Sequence, residues 1–165
     1  MLKLGDVVFV QNKGVCRVDA MDKKDVLGNG MKDYYVMKPV SENNNMTIYV
    51  PTDTKLKIRK LSTKEKALKI LNEFANLEGV EIKNEEERFK KYNELSQEGE
   101  LEGWAKLLKT LFERKKQFAK KQFAIQEQKY INTLLPCLIS ELSYVLKKDE
   151  REIKDTISNA MEVTL

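Results

Sequence analysis

Basic side chains carry the chemistry that this sequence offers most readily, because they recur at short spacing in its second half. Clustered lysine and arginine can neutralise neighbouring phosphates and release their counterions, which gives weak, salt-sensitive, sequence-independent binding to nucleic acid. The same runs also suit an ordinary solvated helix face. The basic residues that we consider for DNA binding are Arg88, Lys90 and Lys91 in one segment and Arg114, Lys115, Lys116, Lys120 and Lys121 in the next.

Groups suited to catalysis or metal binding are sparse. The chain has no histidine, which removes the commonest zinc ligand and general base. Cys16 and Cys137 are far apart within apolar runs, so we expect buried, reduced thiols rather than a disulfide or a metal pair. No glycine-rich phosphate loop or nucleophile elbow occurs. We therefore predict no enzyme activity, no small-molecule substrate, no metal and no cofactor.

Charge is distributed unevenly along the chain, although 30 basic against 26 acidic residues leave a net charge of only +4. Residues 1 to 60 contain 11 basic and 7 acidic side chains. Residues 78 to 102 contain 4 basic and 9 acidic side chains, whereas residues 106 to 129 contain 8 and 2. The last of these segments suits a phosphate neighbour, and the acidic one would be repelled by it.

Short strands are indicated in the first sixty residues, which have to position any surface there. Residues 5 to 10, 14 to 18, 34 to 38 and 46 to 51 are rich in β-branched and aromatic types and are bounded by Gly, Asn, Asp or Pro. Such runs are typical of strands in a small curled sheet. Turns are predicted at residues 12 to 14, 28 to 30 and 41 to 45. These features predict a small β-barrel.

A helical pattern begins near Leu61. Ser62 and Glu65 fit a capping box, and the stripe formed by Leu68, Leu71 and Ala75 predicts a first helix that Gly79 ends. Four further helices follow from caps and apolar spacing. The second helix begins at Asn84 with Glu87 and ends at Gly99, and the third is marked by the apolar stripe from Leu101 to Phe112, which includes Trp104. The fourth extends from about Ile125 to Lys147, and the fifth begins at Asp149 with Glu152.

Pro136 lies inside the fourth predicted helix. Proline removes an amide donor and clashes with the preceding turn, so we expect a kink or a break between Asn132 and Pro136. The chain is thus predicted to have an α+β fold, with a small N-terminal barrel at residues 1 to 60 and an all-α bundle of about five helices at residues 61 to 165. No segment approaches the roughly 20 apolar residues of a membrane span. With no signal-peptide pattern at the start, we expect a cytoplasmic protein without a membrane partner.

The order and spacing of these features resemble the CarD/CdnL family of bacterial transcription regulators. The resemblance rests on the Gly5-Asp6 opening, the turn at Gly14, the Tyr34-Tyr35 strand and the strand that ends in Val50-Pro51. It extends more weakly over the helical half. It implies a Tudor-like or SH3-like barrel that binds the RNA polymerase β subunit, and a helical domain that contacts upstream promoter DNA and modulates open-complex stability.

By position, the resemblance assigns polymerase binding to Lys24, Val26 and Tyr49, which it places on an antiparallel strand pair. An exposed basic group beside apolar and aromatic side chains suits a small protein-docking patch. Tyr49 stands where the family often has arginine, so it would replace a salt bridge with stacking area. The alternative is that Val26 belongs to the core and Lys24 is merely solvated.

The family's minor-groove wedge, a tryptophan before the charged helix, has no counterpart here. The matching stretch, residues 84 to 89, contains three glutamates and ends in Phe89. Phe89 is therefore the wedge candidate, although its helical spacing with Tyr92 favours burial. Trp104 lies inside an apolar stripe and is expected to be a core residue.

Two other functions stay open. An interaction adaptor with the same barrel and no DNA role is favoured by the missing tryptophan and by the neutral helical half. A remote enzyme whose site uses Tyr, Lys and Glu is the second. We expect a transcription regulator that binds the polymerase β subunit and, weakly and without sequence specificity, promoter DNA.

Overall fold

Among the residues that the structure describes, five antiparallel strands form one sheet in the N-terminal part of the molecule. A computed structural model of the chain describes residues 1 to 41, 45 to 118 and 123 to 165. The strands are β1 (Val7–Val10), β2 (Gly14–Lys24), β3 (Lys32–Pro39), β4 (Ile48–Pro51) and β5 (Ile58–Lys60). Their order in the sheet is β4-β3-β2-β1-β5.

Alternate side chains of the sheet meet in one apolar cluster, because successive residues of a strand point to opposite faces. Its buried members are Val8, Val10, Cys16, Val18, Tyr35, Met37 and Val50, with Leu2, Ile48 and Ile58 packed against them. All five strands thus contribute to a single core. A bulge in β2 between Val18 and Ala20 bends the long β2–β3 hairpin. This is the arrangement of the predicted Tudor-like barrel.

The turn between β1 and β2 depends on backbone conformations that few residues adopt. Asn12 has a φ of 64° and Gly14 a φ of 84°, and asparagine and glycine are the residue types that tolerate the left-handed region best. Val10 pairs with Gly14 across the turn. The predicted turn at residues 12 to 14 is confirmed. Three residues of the turn predicted at 41 to 45 lie outside the described part.

In the described residues of the second part of the chain, five α-helices are present, as predicted. They are α1 (Lys64–Asn72), α2 (Glu85–Glu98), α3 (Leu101–Gln117), α4 (Ile125–Leu146) and α5 (Glu150–Met161), with a short 3-10 helix at Phe74–Asn76. The chain divides into two compact units, Met1–Leu61 and Ser62–Leu165. Among the described residues, none of the helices is both long and apolar enough to cross a membrane.

The cap predicted for α1 is one residue too early. Thr63, not Ser62, is the N-cap, and its side chain accepts a hydrogen bond from the backbone N–H of Lys66. The N–H of Ser62 instead donates to the Glu141 carboxylate at 2.8 Å. Two adjacent hydroxyl residues offer equivalent caps locally, and a carboxylate far along the chain decides between them.

The buried face of α1 also differs from the predicted stripe. Ala67, Ile70 and Leu71 are buried, whereas Leu68 and Ala75 are exposed. The helix ends at Asn72, so Gly79 does not terminate it. The other helix ends that were predicted from capping residues are confirmed. Asn84 caps α2, Gly99 ends it in the left-handed conformation, and Asp149 caps α5.

Helix α4 runs through Pro136 without a break, which corrects that part of the prediction. Proline has no N–H to donate to the carbonyl of Asn132. Both residues lie on the exposed side of the helix, so water can satisfy that carbonyl. The opposite side packs into the bundle through Leu134, Leu138 and Leu142.

Helix α3 supplies much of the core of the helical unit. Its buried side chains include the whole apolar stripe predicted from the sequence, from Leu101 to Phe112. Trp104 is buried as expected, and its indole N–H donates to the carbonyl of Ser96. The largest fully buried side chains of this unit include Phe74, Tyr92, Leu107, Leu108, Phe112, Leu138, Leu142 and Ile157.

Candidate protein-docking and nucleic-acid surfaces

Lys24 and Tyr49 form an exposed pair on the barrel. The ammonium of Lys24 donates to the Tyr49 hydroxyl at 2.8 Å, and its nitrogen lies 4.3 Å from the centroid of the Tyr49 ring. Lys24 ends β2 and Tyr49 lies on the edge strand β4, so the two side chains meet across β3, and the expected direct strand pair is incorrect. The hydrogen bond with Tyr49, followed by that with Asp22, raises the pKa of Lys24. The pair thus presents a fixed positive charge beside an aromatic ring.

The loop that follows Lys24 exposes three large apolar side chains. Val26, Leu27 and Met31 are 52%, 76% and 68% exposed, so Val26 is not part of the core. Gly28 and Gly30 adopt positive φ within the same loop, which lets the chain turn tightly there. We define the docking patch as Lys24, Val26, Leu27, Met31 and Tyr49. Leu27 and Met31 were missed from the sequence, where their only signal is that they flank a Gly-Asn-Gly turn.

Exposed apolar side chains that lie together in one loop favour removal from water, and such groups mark many interaction sites. A neighbouring charged group restricts which partner can cover them. The Tyr34 ring packs edge-on against the Tyr49 ring, with 6.4 Å between the ring centroids. The patch therefore combines an aromatic anchor, a cation and apolar area, which are the components of a protein-docking surface.

The three basic residues that we predicted on α2 differ in their surroundings. Lys90 and Lys91 are exposed. The Arg88 side chain is only 12% exposed and forms an ion pair with Glu85. Its Nε atom is buried and has no hydrogen-bond partner among the described residues. Lys90 and Lys91 are thus accessible to a phosphate, whereas Arg88 would first have to leave its present contacts.

Phe89 packs against its own helix rather than projecting from it. Its ring is half-buried and lies edge-on to Tyr92, with 6.0 Å between ring centroids. Tyr92 is fully buried and also contacts Tyr130 edge-on at 5.9 Å. Burial raises the pKa of Tyr92. Insertion of Phe89 into DNA would therefore require it to give up an aromatic contact.

Arg114 holds the end of α3 to the beginning of α4. Its Nε atom lies 2.6 Å from a carboxylate oxygen of Glu127, which is completely buried. The other Glu127 oxygen accepts the backbone N–H of Ala124 at 3.2 Å. The Arg114 guanidinium also stacks over the Phe118 ring at 5.0 Å. Arg114 is among the DNA-binding residues predicted from the sequence, and its contact with Glu127 was not predicted.

The two lysines after Arg114 also have contacts within the helical unit. Lys115 is exposed and donates to the side chain of Gln128 at 3.0 Å. Lys116 donates to the carbonyl of Met161 at 3.0 Å and lies 3.5 Å from the Glu162 carboxylate. Lys116 therefore closes the C-terminal end of α5. Lys120 and Lys121 fall outside the described residues.

The Cys16 thiol is enclosed in the apolar core of the sheet. Burial raises the pKa of the Cys16 thiol to about 11, so it stays protonated and unreactive near neutral pH. Cys137 is half-buried. In the described ranges, no group of three or more His, Cys, Asp or Glu side chains is placed to hold a metal ion.

Each of the two units matches the model of a known protein family. Residues 2 to 62 match the model of the CarD-like/TRCF RID domain. Residues 66 to 158 match the model of the CarD C-terminal domain. No curated protein matches the chain. The two family models follow one another in the order of the barrel and the helices, so the chain belongs to the CarD/CdnL family and is a CarD-like transcription regulator that interacts with RNA polymerase.

Proposed function

We propose that the docking patch binds the β subunit of RNA polymerase, at its first lobe, and that the helical unit then contacts upstream promoter DNA and alters open-complex stability. The observation that carries the first part is the exposed Lys24–Tyr49 pair beside the apolar loop. It occupies the positions at which the family resemblance predicts polymerase contacts. An aromatic side chain that becomes buried on binding is a common centre of binding energy in protein interfaces.

Binding of the full-length protein to the isolated first lobe of the β subunit tests this proposal. Tyr49→Ala removes the anchor and should weaken binding at least about tenfold, as expected for a central aromatic residue. Val26→Asp should have a similar effect because it places a charge within the apolar area. Tyr144→Ala is the matched control, since Tyr144 is 43% exposed on α4 and Tyr49 is 39% exposed. Equal affinities for Tyr49→Ala and Tyr144→Ala would exclude the patch.

For the DNA contact, the accessible lysines of the helical unit support Lys90, Lys91 and Lys115 as the residues that meet phosphates. A few such contacts give only weak binding, but docking on polymerase would raise the local concentration of DNA and make them effective. Arg88, Arg114 and Lys116 remain predicted DNA contacts that would have to exchange an internal partner. Lys120 and Lys121 remain predictions from the sequence.

Salt-dependent binding to a promoter duplex tests the helical contact. The triple variant that combines Lys90→Gln, Lys91→Gln and Lys115→Gln should have a slope of log affinity against log salt that is smaller in magnitude by about two to three. Each phosphate contact contributes about 0.9 to that slope. Lys129→Gln, Lys147→Gln, Lys154→Gln combined removes the same charge elsewhere in the unit. If both variants change the slope equally, the effect is one of net charge and the three lysines do not form a site.

Phe89 stays the wedge candidate in this proposal. A wedge unstacks a base step at a cost of a few kcal/mol and favours a distorted duplex. Phe89→Ala should then shorten the open-complex lifetime while polymerase binding is unchanged. An unaltered lifetime would leave Phe89 with only its packing role against Tyr92.

An adaptor that binds polymerase without touching DNA is the second candidate. It is favoured by the internal contacts of Arg114 and Lys116, which occupy two of the predicted phosphate ligands. The two functions differ in one measurement. An adaptor would bind polymerase through the docking patch yet leave the lifetime of purified open complexes unchanged.

A further inference from the structure

The barrel carries its excess positive charge on one edge of the sheet. Lys55, Lys57, Arg59 and Lys60 lie on β5 and the residues just before it, and Lys13 lies in the β1–β2 turn. No acidic residue occurs between positions 54 and 64 or between positions 11 and 13. This edge is at the opposite end of the strand order from β4, which contains Tyr49.

The remaining basic residues of the barrel are balanced by carboxylates. Without the five residues at this edge, the first sixty residues would have 6 basic and 7 acidic side chains. Five of those six are ion-paired, and the sixth is Lys3. The pairs are Arg17 and Lys38 with Asp19, Lys23 with Asp33, Lys24 with Asp22, and Lys32 with Asp53.

The edge lysines are accessible and, apart from Lys13, lie close together along the sequence at and just before β5. Lys13, Lys55, Lys57 and Lys60 are exposed, and Lys13, Lys55 and Lys60 form no ion pair within the described residues. The backbone of Lys57 pairs with Gln11, so the extended pairing of β5 with β1 continues to that residue. Lys57 and Lys60 are then about 10 Å apart along the strand, at roughly 3.3 Å per residue, and their side chains leave opposite faces of this edge strand. One strand of duplex DNA carries a phosphate about every 3.4 Å along its axis.

We propose that Lys13, Lys55, Lys57 and Lys60, which we call the basic edge, form a second DNA-backbone contact, located on the barrel itself. The proposal goes beyond the function above, in which the barrel binds only protein. Arg59 is left out because its guanidinium stacks over the Phe9 ring at 4.8 Å. While the docking patch binds polymerase, the basic edge would contact duplex phosphates without reading sequence.

Lysines on an edge strand have another common role, since they discourage pairing with the edges of other molecules. That role requires charge but no DNA. It predicts self-association when the charges are removed, and no change in DNA affinity. The two explanations therefore separate in solution.

The test measures binding of the full-length protein to a fluorescent duplex between low and moderate salt. Lys13→Gln, Lys55→Gln, Lys57→Gln, Lys60→Gln combined should lower affinity at low salt by about tenfold or more and reduce the salt slope by about three to four. The half set, Lys55→Gln with Lys60→Gln, should give about half that slope change. Replacing all four lysines with arginine should restore the wild-type slope.

The matched control is Lys3→Gln, Lys23→Gln, Lys32→Gln, Lys38→Gln combined, which removes four lysines from the same barrel. A slope change equal to that of the edge variant would overturn the proposal, as would no change in either. Stronger binding of the wild-type edge to anionic lipid vesicles than to DNA would also overturn it. Affinity for the β lobe should be unchanged in the edge variant, so a failure of polymerase docking is detected independently.

Discussion

The internal contacts of a lysine or arginine in this protein determine how readily its side chain can meet a partner. Arg114 shows the point most clearly, because the Glu127 carboxylate that it contacts is entirely buried. A buried ion pair is costly to break, since removing one member leaves the other charged and unpaired in the interior. Arg114 is thus chiefly a joint between α3 and α4, whereas Lys90 and Lys91 have exposed side chains.

We expect Arg114→Ala to lower the free energy of unfolding by about 3 to 5 kcal/mol, because Glu127 would lose its ionic partner. Lys115→Ala, which removes the exposed side chain at the next position, should change the free energy of unfolding by less than about 1 kcal/mol. Urea denaturation of both variants measures the difference. Similar small losses for the two would mean that the Arg114–Glu127 contact adds little, and Arg114 would return to the set of residues free to bind DNA.

At the scale of single elements, the continuity of helix α4 through Pro136 was not predicted. The helix continues through Pro136 because the missing hydrogen bond falls on the exposed side, while Leu138 and Leu142 are buried on the other. Tertiary packing thus overrides a local preference that would otherwise end the helix. The proline is tolerated and remains a local cost.

Pro136→Ala should therefore stabilise the protein, by up to about 3 kcal/mol, since alanine restores the amide donor to Asn132 and removes the ring clash. Ser140→Ala, one turn further along α4, is a control for the general effect of alanine in this helix. Thermal unfolding of both variants provides the measurement. A lower melting temperature for Pro136→Ala than for the wild type would contradict our account of how α4 accommodates the proline.

Local signals predicted most elements, and the exceptions share one physical cause. Asn84, Gly99 and Asp149 determine helix ends through contacts within a few residues, so sequence was sufficient. Thr63 was missed because Glu141, far along the chain, takes the N–H of Ser62. The internal partners of Arg114 and Lys116 were missed for the same reason. A side chain's partner depends on packing between helices, which charge patterns along one segment do not encode.

The candidate docking patch was predicted only in part. Its cation and its aromatic ring, Lys24 and Tyr49, were identified through the family resemblance, but their 2.8 Å hydrogen bond across β3 was not. Leu27 and Met31 lie in a loop, where apolar residues have no periodicity to mark them. Exposure of such residues becomes visible only when the loop is placed on the sheet.

At the scale of the whole molecule, the proposed function assigns different tasks to the two units. The barrel unit, Met1–Leu61, presents the docking patch, and the helical unit, Ser62–Leu165, presents Lys90, Lys91 and Lys115. Weak phosphate contacts matter only when DNA is held nearby, so docking on polymerase has to come first. This dependence makes the docking patch the central element of the proposal.

The lifetime of purified open promoter complexes tests that dependence most directly. It would be measured without the protein, with the wild type, and with Tyr49→Ala at a concentration that saturates the wild-type effect. We predict that the wild type changes the lifetime and that Tyr49→Ala returns it to the value without protein, whereas Tyr144→Ala behaves as the wild type. A Tyr49→Ala protein that changes the lifetime as fully as the wild type would contradict the account.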